Sequence, residues 1–404
     1  MTMPPRAPMR ASREQVLAFR LDGHHLARRL PRGSLLQTAG ACGLQDTPPG
    51  SALLGMHARV SGLTPDDVTR ALENAKTLFA TWSLRGAPHV MPTRDASVFT
   101  LGLLPDDEES LRAFLGGGVI PLDVVGMTAA ELVARTGEVS RQVLDGRDVT
   151  KDELGVELSE RIARELKGKQ RARWRAPSIV VRGQTMGESL VRFAISVVAL
   201  QGVVCVGPRR GGAVRYARTD QWLGKALPKA RRETAEAELV RRYLACYGPS
   251  TSEELAQWAG IGLAQAEHAW KRVAKELIPA DIDGRTAWVH RGDQARLGSP
   301  NVPQGVRFLL PHDPFLQLRD RTTLAPERAL QRRIWRAIGN PGVVLAEGRL
   351  MGLWRPAKSG KRLRISVELV APMTREVRTH LEVEAAALAP WRGVSTVEVK
   401  VTSE

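Results

Sequence analysis

The sequence predicts an α+β chain: three helix-rich units, each closing on a short hairpin, followed by a C-terminal β-rich region. Two observations lead there. The order helix, helix, helix, hairpin occurs at residues 128–217 and again at 231–291. From residue 343 onward, short runs rich in β-branched residues replace the helical pattern.

Taken in order, residues 1–12 carry Pro and Arg but no apolar run, so they read as a disordered leader rather than a secretory signal. In residues 13–104, helices are expected at 34–42 and 51–60. A third at 64–78 opens on Thr64-Pro65-Asp66-Asp67, where Pro suits the first turn and acids suit a helix N-terminus. Residues 80–91 read as extended, with Gly86 and Pro88 making a turn. In residues 105–228, Thr128 caps a helix over 128–136, and Thr150 with Glu153 forms a capping box for a helix reaching Lys167. A helix at 187–201 and two strands within 203–217, around Pro208-Arg209-Arg210-Gly211-Gly212, complete that unit.

Residues 229–299 repeat the order more cleanly. A helix over 232–247 stops at Gly248-Pro249. Ser250-Thr251-Ser252-Glu253-Glu254 caps a short helix, Gly260-Ile261-Gly262 makes the turn, a longer helix covers 263–277, and Asp283-Gly284 turns a hairpin over 278–290. This is the order of a winged helix, so the expected architecture is three tandem winged-helix domains with a C-terminal β-rich domain over 300–404. In that last part, 303–317 reads as irregular and 327–338 as a short helix. Strands are expected at 343–347, 349–354, 362–369 and 396–401, with a helix at 375–388 packed on the sheet.

Composition narrows the function classes. Across 404 residues there are 59 Lys plus Arg against 43 Asp plus Glu, a net charge of +16, which favours a polyanionic partner. No stretch reaches the roughly 18 apolar residues that span a bilayer. Cys42, Cys205 and Cys246 are far apart and odd in number, which argues for a reducing cytoplasm. The eight His lack paired spacing, so neither a metal site nor a cofactor is expected.

Five tracts in sequence order resemble a known family. They are 26–30 followed by Gly43-Leu44-Gln45, then Trp82-Ser83-Leu84-Arg85-Gly86-Ala87-Pro88-His89, and then residues 243–260. The last two are Leu309-Leu310-Pro311-His312-Asp313-Pro314 with Arg319-Asp320-Arg321, and Gly352-Leu353-Trp354-Arg355. Together they resemble the tandem winged-helix DNA glycosylases of the AlkZ and YcaQ type, which unhook bulky or crosslinked alkylated purines. The resemblance implies a duplex-DNA partner carrying damage, and a catalytic Gln-x-Gln or Gln-x-Asp. Here the aligned triplet is Gln45-Asp46-Thr47, so the first amide is present, the third position is Thr, and the carboxylate sits in the middle. Neighbouring side chains of an extended segment face opposite ways, so Asp46 does not simply replace an Asp at position 47.

Removing a cationic alkylpurine requires a positioned water and an oxygen near an oxocarbenium-like sugar. Gln45 would hold the water through its amide oxygen, Thr47 would orient it, and Asp46 would be the base if it faces the site. Equally, Asp46 and Thr47 would cap the turn before Pro48. Arg85 and His89, four residues apart on one expected strand, would contact phosphate and wall the site. Residues 161–175, with seven Lys or Arg and Trp174 interleaved, would track phosphates through Arg171, Arg173 and Arg175, or form a solvated basic linker. Arg209, Arg210 and Arg215 suit a wing that contacts the DNA backbone, and His312 and Asp313 would line the site or form a turn. Two functions stay open: a metal-free monofunctional glycosylase, and a non-catalytic DNA-binding protein such as a damage sensor or regulator. Three DNA-contacting units in one chain make a monomer sufficient, and no stacking motif supports RNA.

Overall fold

A computed structural model describes residues 9–210 and 213–402; the side chains of Arg209 and Arg210 lie outside the description, as do Gly211 and Gly212. The fold mixes helices and sheets and divides into two compact units. One combines the described residues up to Arg70 with Val240–Glu254 and those from Val273 on. The other combines Ala71–Leu239 with Leu255–Arg272.

In the second unit, Ala129–Val143, Lys151–Glu165 and Met186–Leu200 are the central helices. Each starts where a Thr side chain accepts from a backbone N–H three residues on: Thr128 from Glu131, Thr150 from Glu153, Thr185 from Glu188. Met186–Leu200 is apolar nearly all round and correspondingly buried. The hairpin Val204–Arg210 and Ala213–Arg218 follows, and Val204–Arg210 also pairs with Leu78–Trp82 through Ala80 and Val206. Trp82 stacks on Tyr216 at 4.7 Å. The basic run is not a linker: Gly168–Arg175 is helical and anchored by buried Trp174, whose indole N–H donates to the Ser159 carbonyl at 3.0 Å.

In the first unit, Ser12 and Gln15 form a capping box for the helix Arg13–Gly23. Leu277–Ile282 and Arg285–His290 pair as a hairpin turned by Asp283-Gly284, both with positive φ as that turn requires. Its free edge takes Met9–Arg10 in parallel. A second sheet runs Val306–Leu309, Gly342–Ala346, Arg349–Ser359, Arg362–Leu369 and Thr396–Thr402 in consecutive order. It is antiparallel except for the last pair, which the helix Arg375–Ala386 makes parallel by crossing the sheet face. Leu381 and Ala385 of that helix pack on Val344, Ile365 and Val367.

Four expectations about elements are corrected. The helix expected over 64–78 ends at Asn74, with a π-turn over Arg70–Asn74, because Leu78 already begins a strand. The extended stretch with its turn over 80–91 is the hairpin of Leu78–Trp82 and Pro88–Pro92, but Arg85 stands in the turn rather than on one strand with His89. The helix from Thr128 continues past 136 to Val143. Residues 303–317 are not wholly irregular: Val306–Leu309 is a buried edge strand, too short to stand out between Gly305 and Pro311.

Gly187 shows how tightly the second unit is packed. A Cβ there would lie 2.1 Å from Trp174 Nε1 and 2.5 Å from Ser159 Oγ, whereas one at Gly33 would meet nothing within 4 Å. Gly187→Ala is expected to lower unfolding stability by about 1–3 kcal/mol and Gly33→Ala to change it by less than about 0.5 kcal/mol, measured by urea denaturation.

Candidate active site

The Gln45 tract belongs to the first unit. The helix Leu35–Cys42 stops at Gly43, whose φ of 70° turns the chain into the short extended piece Leu44–Gln45. Gln45 and Asp46 are buried, and Thr47 is half-buried. Asp46 points back into its own turn. Its Oδ1 accepts from the Gly50 N–H at 2.7 Å and the Ala52 N–H at 3.0 Å. Those donors open the helix Ser51–His57, whose N-cap residue, Gly50, has no side chain to satisfy them. Asp46 therefore acts as the cap, and the lone pairs of that oxygen are committed. Ser51 Oγ donates to the Pro48 carbonyl at 2.6 Å and closes the loop.

Behind this tract lies a buried ion pair. Arg59 Nη2 and Nη1 reach Asp313 Oδ1 and Oδ2 at 2.6 and 2.8 Å, and Arg59 Nη1 also donates to the Gly55 carbonyl at 2.9 Å. A Cβ on Gly55 would sit 3.4 Å from Leu44 Cδ2, 3.7 Å from Arg59 Nη1 and 3.9 Å from Asp313 Oδ2, so the pair backs directly onto the residue before Gln45. Asp313 also caps the 3-10 turn Pro314–Gln317 by accepting from Phe315 N–H at 3.0 Å. Its carboxylate is structural, and both oxygens are engaged. His312 is half-buried in the preceding turn.

Arg85 and His89 lie in the second unit and do not share a strand face. Arg85 sits in the hairpin turn with φ 57° and donates to the Trp258 carbonyl, while Gly260 passes close enough that a Cβ there would meet Arg85 Cα at 2.7 Å. His89 is on the strand Pro88–Pro92 and buried. Its Nδ1–H donates to the Ala87 carbonyl at 2.9 Å, the only direction in which a carbonyl can take part. Burial, with Arg85 beside it, pushes the imidazole down to about 3, so His89 is neutral at working pH.

The expected basic surface sorts by partner. Arg215 is held by Asp148 and lies 3.8 Å from Glu153; Arg175 pairs with Glu160 at 2.8 Å. Arg171 donates to the Leu166 and Arg164 carbonyls at 2.6 and 2.8 Å, tying down the end of the preceding helix. Lys167, Lys169 and Arg173 are exposed on the same stretch. Arg209 and Arg210 lie outside the described side chains, though their backbones pair with Val214 and Ala213 in the hairpin.

Sequence spacing missed one cluster. His24, Cys42 and Cys246, scattered along the chain, meet in the core of the first unit. One ligand atom of each lies within 4.8 Å of the others. Only tertiary structure could bring them together.

Three histidines held as neutral groups, His89 buried and His25 and His57 half-buried, make stability pH-dependent. Burial, with Arg59 and His24 nearby, lowers His25 to about 4; burial and Arg29 lower His57 to about 4; His89 falls to about 3. Between the unfolded value near 6.5 and these folded values, the unfolded chain binds more protons, so stability falls as pH drops through that window. Each proton contributes a slope of at most about 1.4 kcal/mol per pH unit. His89→Gln is expected to flatten the stability–pH curve between pH ~6.5 and ~4 by up to one proton. An unchanged slope in denaturation series across that range would refute this.

The comparisons with known proteins agree with this geometry. A family model described as "DNA glycosylase AlkZ-like" matches residues 38–391. The curated "Interstrand DNA cross-link repair glycosylase" of Streptomyces sahachiroi is 26% identical over 409 residues, covering 97% of this chain and 100% of that protein. The solved structure of the Streptomyces sahachiroi DNA glycosylase AlkZ superposes with a TM-score of 0.73 at 26% identity, over 98% of this chain and 100% of that one. The chain therefore belongs to the AlkZ-like DNA glycosylase family, whose members are hydrolases of the N-glycosidic bond.

Proposed function

We propose that this chain excises alkylated purines from duplex DNA, bulky or crosslinked ones included, with Gln45 as the residue that positions the attacking water. The observation that carries the reading is Gln45 itself. It stands at the position of the family's first catalytic amide, on a short buried strand held between a helix end and the turn capped by Asp46. Alkylation at N3 or N7 leaves the purine cationic, so the glycosidic bond breaks with the electron pair going to the base and needs little acid assistance. The sugar passes through an oxocarbenium-like state. An amide oxygen beside it stabilises that charge and accepts a hydrogen bond from water, which adds to the anomeric carbon and loses its proton to solvent. Thr47 Oγ1 orients the same water, and Asp46 holds the loop.

The proposed architecture is three tandem winged-helix domains, at 13–104, 105–228 and 229–299, ahead of the C-terminal β-rich domain over 300–404. Within it, a single chain grips the duplex at several points, so no dimer is required. Phosphate contacts fall to exposed Arg173 and to the hairpin residues Arg209 and Arg210, while Arg171 ties down the preceding helix end. Arg85, Arg175, Arg215, His89 and Asp313 act through the scaffold on this reading, because each described partner of theirs belongs to the fold; His312 belongs to the turn before Asp313. Among the described residues no single helix is long and apolar enough to cross a membrane.

Base release from duplex DNA carrying an N7-alkylguanine crosslink tests the chemistry. Gln45→Ala is expected to lower single-turnover release by about a hundredfold or more while leaving DNA affinity and thermal midpoint near wild type. Asp46→Ala is expected to cost about 1 kcal/mol of stability through removal of the cap. A rate loss in Asp46→Asn equal to that of Gln45→Ala would make Asp46 the base and overturn the assignment. If wild type and Thr47→Gln both release no base, the chain is a DNA-binding protein without catalysis.

Binding to DNA is expected to weaken linearly in log affinity against log salt, as condensed counterions are released. Exchanging both Arg209 and Arg210 for Ala should reduce the magnitude of that slope by about 1.8, at roughly 0.9 for each phosphate no longer neutralised. Fluorescence anisotropy between low and physiological salt reads this out, and an unaltered slope would remove the hairpin from the interface.

A further inference from the structure

The three residues that sequence spacing left apart form the most self-contained unassigned cluster among the described residues. His24, Cys42 and Cys246 are each buried, with exposures of 1%, 3% and 1%, and all belong to the first unit. Each stands at the end of a different helix. His24 is the C-cap of Arg13–Gly23, Cys42 is the last residue of Leu35–Cys42, and Cys246 is the last but one of Arg232–Tyr247. A helix C-terminus carries partial negative charge, so three of them converging make a place that favours a cation. The carbonyls of Gly23 and Ala41 reach the same point, 3.5 and 3.6 Å from Cys246 Sγ.

The three side chains already face one another. The imidazole meets the cluster only through Nδ1, 3.6 Å from Cys42 Sγ, and Nε2 is buried with no hydrogen-bond partner. The His24 ring packs edge-on against Tyr247 and Phe315, at 4.8 and 5.5 Å between centroids, with Nδ1 on the side of the thiols.

We propose that His24, Cys42 and Cys246 bind one thiophilic divalent d10 cation, of the zinc class. Two thiols and a neutral imidazole bind the dication by forming two metal–sulfur bonds and one metal–nitrogen bond. The two thiol protons leave to solvent, so the buried site stays net neutral and avoids the desolvation cost of an isolated charge. Ligand atoms now within 4.8 Å of one another need to close by about 1 Å to reach bonding separations of about 2.3 Å to sulfur and 2.0–2.1 Å to nitrogen. The Gly23 or Ala41 carbonyl is placed to complete four-coordination. Cys42 is followed by Gly43-Leu44-Gln45, so the ion would fix the helix end from which the Gln45 strand departs. It takes no part in the chemistry at the glycosidic bond.

The test uses the full chain, reduced and stripped of metal, titrated with Co2+ as a spectroscopic probe and then with Zn2+. Expected are a sulfur-to-cobalt charge-transfer band saturating at one equivalent, its loss on adding Zn2+, two protons released per ion, and a metal-dependent rise in thermal midpoint. Cys42→Ser and Cys246→Ser should lose the band. His24→Gln should weaken Co2+ binding at least tenfold, and Cys205→Ala, at a buried thiol in the other unit, should change nothing. The Ser variants' far-UV circular dichroism verifies folding; if one is unfolded, the remaining Ser variant and His24→Gln decide. No band at one equivalent, or a band that persists in a folded Cys42→Ser or Cys246→Ser variant, overturns the site. So does a chain that takes up no metal but loses two free thiols in air to a Cys42–Cys246 disulfide.

Discussion

A guanidinium and a carboxylate 254 positions apart in the chain, each 2% exposed in its side chain, hold the scaffold of the candidate site together. Arg59 and Asp313 are both desolvated, and each is tolerable there only because the other is present. Removing one partner of such a pair leaves an uncompensated charge and typically costs about 3–5 kcal/mol, far more than the intact pair contributes over an apolar replacement. What the pair supplies is register. It joins the end of the helix Ser51–His57 to the turn at Pro314–Gln317, immediately behind Leu44. Arg20 repeats the device. Its side chain is buried, binds Asp320 at 2.5 Å, and also donates to the carbonyls of Gly248 and Pro249 at 3.1 Å. Two N-terminal arginines thus clamp the tract over residues 309–321, and its acidic positions exist to receive them.

That arrangement explains which parts of the molecule the sequence could disclose. Local signals carried through. The Thr128 and Thr150 caps, the Asp283-Gly284 turn and the helix crossing the C-terminal sheet all rest on spacings of a few residues. Arg85 failed for a local reason of another kind, since the stretch from Arg85 to His89 can be one strand or a turn leading into one, and the pairing of Leu78–Trp82 with Pro88–Pro92 leaves Arg85 in the turn. The roles of Asp313 and His89 were hidden because burial is a property of the folded whole. The same holds for the His24, Cys42 and Cys246 cluster, whose members have no spacing to read.

Asp46 joins the two kinds of information. From sequence, its middle position in the triplet set it on the wrong face for a base at position 47, and a capping role was the alternative. The geometry has the carboxylate accepting from Gly50 and Ala52, a helix-capping arrangement made necessary because Gly50 has no side chain of its own. Through that oxygen the side chain serves the loop. On the proposed reading this is no handicap. A cationic purine leaves without a strong base having to drive the attack, since water adds to a sugar already close to a full cation. The demand on the protein then shifts from basicity to position, and position is set by rigidity. An amide at Gln45, on a strand fixed at one end by a helix terminus and at the other by a carboxylate-capped turn, meets that demand. On that reading, the carboxylate beside it contributes by holding the Gly50 and Ala52 N–H groups.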